Sequence, residues 1–102
     1  MTAAILLLSI TLAWDLPDMD LSKVKGYEIC WGYESRQYGR CEIAHGADTK
    51  KHTIEEIDLG HLTFFAARTL GVCGGKSEFS NEVTHSKGSS PGEGAGCFLL
   101  NL

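Results

Sequence analysis

Residues 10–17 read ITLAWDLP, which puts Ile10, Leu12 and Trp14 on one parity and Thr11, Ala13 and Asp15 on the other. A period of two marks a strand with one buried face, because successive Cβ atoms point to opposite sides of the pleat. Pro17 has no N–H to give a ladder and closes the run. A second row follows in GYEICWGY (26–33), where Tyr27, Ile29, Trp31 and Tyr33 share a parity and Glu28, Cys30 and Gly32 take the other. The aromatic parity is expected to face the core.

ESRQ (34–37) is a four-residue turn, and YGRCEIAHG (38–46) returns as the second arm of a hairpin. Thr53-Ile54 and Ile57 read as a short strand and its exit, TFFAARTL (63–70) as the next strand, and GVCGGKS (71–77) as a glycine-rich loop. EFSNEVTH (78–85) reads as the last strand. Short strands with regular turn signals and no long helical period predict an all-β two-sheet sandwich. The domain is expected over 1–85, with 86–102 (SKGSSPGEGAG followed by CFLLNL) as a flexible Gly/Ser-rich C-terminal tail.

The 102 residues make one domain, long enough to bury a core without metal. A net charge of −4 argues against nucleic acid, whose phosphates demand a basic face. AAILLLSITLAW (3–14) has the apolar core of a signal peptide but neither a positive start nor a small-x-small cleavage site. Its second half carries the alternation into Trp14, so the stretch is read as part of the fold; it is too short to span a bilayer.

The four cysteines, Cys30, Cys41, Cys73 and Cys97, have no CxxC spacing and allow three pairings. If Tyr33 stands opposite Tyr38, continuing the register places Cys30 directly opposite Cys41. Opposed Cβ atoms lie about 4.5–5.5 Å apart, closable by a disulfide in an oxidising compartment. The alternative is two unpaired, partly exposed thiols, and a slip of one residue would produce it.

ITLAWDLP, VKGYEICWGY, TIEEIDL and TFFAARTLGVCGGKSEFSNEV, in that order over residues 10–84, resemble a fibronectin type III domain of the bacterial extracellular type. The shared features include a GY-x-x-x-x-G strand at Gly26–Gly32 and a G-x-x-S-x-x-SNEV ending at Gly74–Val83. The resemblance implies an immunoglobulin-like two-sheet sandwich with core positions at Trp14, Tyr27, Ile29, Trp31, Ile57 and Phe65, with Ile57 plugging the corner before the strand at 63. It also implies a bacterial surface or secreted location. Two departures stand out. The corner tyrosine expected six residues after the plug is replaced by Thr63. The strand that would precede ITLAW is short or missing, which would leave an apolar sheet edge open to a homodimer through residues 3–14. The Gly94–Leu99 stretch more weakly resembles the Cys-Phe-Ile-type sorting box of some bacterial surface proteins; the alternative is a disordered tail.

Chemistry is sparse. There is no GxSxG elbow, and His45, His52, His61 and His85 fall in loops or at strand ends. Cys73 and His85 would need a coincidence of geometry to meet. His45, Asp48 and His52 offer metal-ligand types within eight residues, but nothing in the pattern orients them. Asp18/Asp20 and Glu55-Glu56 lack the pattern of a calcium loop, and no Arg-Gly-Asp occurs. The expectation is therefore a non-enzymatic module without cofactor or metal, a spacer or a protein- or carbohydrate-contacting domain. Its interaction surface is expected at Tyr33, Tyr38, Cys73 and Lys76. The rival readings are a self-assembling module using its open N-terminal edge and a small metal-dependent hydrolase.

Overall fold

The computed structural model describes residues 7–15, 20–58, 60–85 and 97–100. The strands are β1 (Leu7–Trp14), β2 (Val24–Gly32), β3 (Arg40–His45), β4 (Lys51–Asp58), β5 (Thr63–Gly71), β6 (Val83–His85) and β7 (Cys97–Leu100). They form two sheets, β4-β1-β7 and β3-β2-β5-β6. The chain is an all-β two-sheet sandwich.

The inward rows meet between the sheets. Ile10, Leu12 and Trp14 of β1 and Ile54 and Ile57 of β4 pack against Tyr27, Ile29 and Trp31 of β2 and Phe65 and Ala67 of β5. Trp14 is only 2% exposed. Its ring lies 5.2 Å from that of Tyr27 across the interface, and its Nε1 donates 2.8 Å to the Thr49 carbonyl. The indole therefore buries its apolar body while keeping its one donor satisfied. The hydroxyl of Tyr27 donates to the Ala47 carbonyl, so the loop that enters β4 caps both aromatic rings.

The glycines that frame β2 answer to contact. A Cβ on Gly26 would come within 2.5 Å of the Ala44 carbonyl oxygen, and one on Gly32 would run into the Gln37 carbonyl oxygen. The two glycines of the GY-x-x-x-x-G pattern thus let β3 and the turn lie close along β2.

Ile54 and Ile57 are three residues apart and cannot share a face in a regular strand, yet both are buried. The pairing Leu8↔Ile57 shifts to Ile10↔Ile54, so β4 spends one more residue than β1 over that step. This β-bulge falls on Glu55-Glu56, with Glu56 in the left-handed region at φ 56°. It returns Ile57 to the core and throws both carboxylates outward.

Thr63 stands six residues after Ile57, at the start of β5. It is buried, and its hydroxyl donates 3.0 Å to the His61 carbonyl.

Three sequence expectations change. EFSNEVTH is not a strand throughout, for β6 covers only Val83–His85. Before it, Ser77 and Ser80 run beside β5 and replace the ladder with side chains. Their N–H groups donate to the Thr69 and Ala67 carbonyls at 2.9 and 2.7 Å. Their hydroxyls accept from the Thr69 and Ala67 N–H groups at 2.8 and 3.0 Å. The S-x-x-S spacing of the ending is thereby explained. Tyr33 does not continue the inward row, because β2 stops at Gly32. Finally, the flexible tail drawn over 86–102 contains a strand. β7 lies parallel to β1, pairing Thr11↔Cys97 through Trp14↔Leu100. The edge invoked for a homodimer through residues 3–14 is occupied over Thr11–Trp14, and residues 1–6 and 86–96 lie outside the described residues.

Two outcomes follow from these edges and bends. Glu56→Gly removes the left-handed penalty of a side chain, about 1–2 kcal/mol, against about 0.5–1 kcal/mol of added chain entropy. A rise of a few degrees in Tm by calorimetry is expected, and a fall would contradict the bulge geometry. Truncation after residue 85 uncovers the β1 edge. It should produce concentration-dependent self-association by light scattering where the full chain shows less.

Candidate functional site

The β2–β3 hairpin is tied by its ladder, a disulfide and hydrogen bonds from a distant segment. Its register runs from Gly26↔His45 to Trp31↔Arg40, and the turn closes with Gln37 N–H donating 3.1 Å to the Glu34 carbonyl. Cys30 and Cys41 are directly paired and disulfide-bonded, with Cα atoms 4.0 Å apart. Cys30 is buried in the central strand, whereas Cys41 is exposed on the edge strand. The bridge closes a loop of separation 11, which in the chain-entropy account stabilises by about 3 kcal/mol.

Arg36, in the turn, has φ 62° without being glycine. Glu82, just before β6, holds it there. One carboxylate oxygen accepts from the Arg36 N–H at 2.8 Å and from the Tyr38 hydroxyl at 2.7 Å; the other accepts from the Ser35 hydroxyl at 2.5 Å. The Arg36 guanidinium donates 3.2 Å to the Ser80 carbonyl. Burial would by itself raise the pKa of Glu82. The Ser35, Arg36 and Tyr38 hydrogen bonds and the Arg36 charge outweigh it and hold the carboxyl below its ordinary value. Burial, and then the bond to Glu82, push Tyr38 up to about 12, so it stays a neutral donor.

The rings beside the turn are set by separate partners. Tyr38 packs edge-on against Phe79 at 5.1 Å, and Phe79 in turn lies under the Arg68 guanidinium at 4.4 Å. Arg68 pairs with Glu28 at 2.7 Å. Tyr33 stacks obliquely on His61 at 4.9 Å and is 55% exposed. Between the two tyrosines opens a groove of about 870 Å³, lined by Trp31, Gly32, Tyr33, Glu34, Gln37, Tyr38, Gly39 and Arg40. A second depression of about 370 Å³ shares Trp31, Tyr33 and Arg40 and reaches Glu42, Ile54 and the bulge residues Glu55 and Glu56. Both volumes fall within or near the usual range of small-molecule sites.

The expected interaction surface divides. Tyr33 and Tyr38 belong to this groove. Cys73 and Lys76 lie beyond the far end of β5, past Gly71, while Tyr33 adjoins its start. Cys73 is an exposed free thiol, and Lys76 sits 3.7 Å from Glu28. Cys73 and His85 are likewise apart, since His85 pairs with Thr63. His45, Asp48 and His52 do not converge; His52 Nε2 instead lies 2.8 Å from Glu42. Asp20 caps the turn at Leu21–Lys23, accepting from the Ser22 N–H at 3.0 Å. Among the described residues the grouping of metal-ligand types is Glu28, Cys30 and Cys41, and the disulfide and Arg68 occupy it.

Sequence reasoning missed Glu82, Arg40, Glu34 and Gln37. Glu82 meets the turn from more than forty residues away, and no local pattern announces such a contact. No family model matches the chain, and no curated protein matches it.

Glu82→Gln should cost about 1 kcal/mol at neutral pH, the value of a partly exposed charge-assisted hydrogen bond. Because the folded pKa is lowered, the clasp contributes fully above the ordinary value of 4.5 and is lost as pH falls through the folded value. Melting curves of wild type and variant are therefore expected to converge on acidification below that point, and a constant gap would refute the clasp.

Proposed function

We propose that this chain is a non-catalytic module of the fibronectin type III kind. It would act as a spacer or a protein- or carbohydrate-contacting domain of a larger bacterial surface or secreted protein, its contact surface being the β2–β3 hairpin groove. One observation carries the reading. The interior between the sheets is filled by side chains, while the 870 Å³ opening lies at the hairpin, beside an aromatic ring that the core does not use. A disulfide below and a carboxylate clasp above hold the hairpin rigid, which lowers the ordering cost of a contact. The disulfide suits an oxidising compartment. The family is proposed from the order of its motifs, and the two-sheet architecture with an aromatic core agrees with it.

Saturable binding of the purified chain to a bacterial cell-envelope preparation is expected. It should fall by about tenfold or more in Tyr33→Ala/Arg40→Ala, the scale of a contact hot spot. Equal binding by this variant would remove the contact surface from the hairpin.

A further inference from the structure

The hairpin reading leaves the ligand open, and the lining of the trough narrows it. The two depressions meet at Trp31, Tyr33 and Arg40. From that middle the lining runs to Glu34 and Gln37 on one side and to Glu42, Glu55 and Glu56 on the other. A polyanion would face this series of carboxylates. A polycation would be drawn to the carboxylates at either end but would meet the Arg40 guanidinium at the point the depressions share, beside the Tyr33 ring. A neutral polyhydroxylated chain meets neither repulsion, because each hydroxyl both donates and accepts. Arg40 supplies donors, Glu34, Glu55 and Glu56 supply acceptors, and Gln37 supplies both. The apolar C–H face of a sugar ring needs a flat apolar partner, and Tyr33 presents its ring 55% exposed, steadied by His61.

A second, independent feature points into the same trough. The bulge on β4 brings Glu55 and Glu56 to its wall, with Glu56 held at φ 56°. A side chain in that region costs stability, and strain of this kind is found where a strand re-aims groups for a ligand. Glycine would remove the strain and the carboxylate together.

Resting on the hairpin reading above, we propose that this trough binds a neutral saccharide chain. One ring stacks on Tyr33 over the Trp31 floor, and neighbouring hydroxyls are shared between Arg40 and the Glu34 and Glu55-Glu56 carboxylates. The Tyr33 platform, the turn and the bulge are fixed before binding, so little ordering remains to oppose association.

Native affinity electrophoresis of the full chain through gels containing soluble β-glucan, arabinoxylan or galactomannan tests this, with heparin and poly-lysine as charged comparators. Retardation by at least one neutral polymer and none by heparin is expected. Tyr33→Ala should weaken it at least tenfold without changing Tm, since that ring is largely outside the core. Glu56→Gly should weaken it several-fold while raising Tm. No retardation by any of the neutral polymers overturns the saccharide assignment, as does undiminished retardation of Tyr33→Ala. Retardation by poly-lysine alone, lost in Tyr33→Ala, also overturns it but leaves the hairpin standing as a contact surface. Loss of envelope binding as well would remove both.

Discussion

The packing of Trp14 on Tyr27 holds the two sheets to one another. The indole closes the inward row of β1, the phenol opens that of β2, and the loop at Ala47–Thr49 accepts a hydrogen bond from each. The rest of the core extends from this contact along rows whose direction the pleat dictates. Emptying such a site of an aromatic side chain costs about 3–5 kcal/mol, a large part of the 5–15 kcal/mol that holds a domain of this size. Among the described residues, the two depressions lie outside this filled interior, at the rim.

The rim is built in the opposite manner, from polar ties at long sequence separation. Glu82 gathers Ser35, Arg36 and Tyr38. Phe79 lies between Tyr38 and Arg68, and Arg68 reaches back to Glu28 in β2. The segment just before β6 thus braces the outside of the hairpin while its serines complete the edge of β5. The result is a hairpin whose exposed turn is tied from outside by the segment that precedes β6, while β2 stays buried in the sheet.

The sheet edges show the same economy. β1 would be left open on the side away from β4, and β7 fills part of it in parallel orientation. A parallel pairing cannot be joined by a tight hairpin, so the covering strand must come from elsewhere in the chain. On the other side the β4 bulge breaks the regularity that edge-to-edge pairing requires.

The sequence by itself determined the strands with strong period-two rows and offered one register for the first hairpin, which the fold adopts. Both are local, and the position of one turn sets the register of everything paired from it; the Cys30–Cys41 bridge follows from that register. It determined the buried faces of β1 and β2 for the same reason. Only the tertiary structure decided where Ile54 and Ile57 could both point inward, because a bulge is a response to the strand opposite. Thr63 can be buried because the His61 carbonyl lies within reach of its hydroxyl. The serines of the SNEV ending pair as they do because β5 offers free backbone groups beside them. The second depression, beside the groove, belongs to neither hairpin nor bulge alone. It exists because the packing of one sheet on the other brings Tyr33 and Arg40 to the flank of Glu55 and Glu56, a proximity between distant segments that no sequence period encodes.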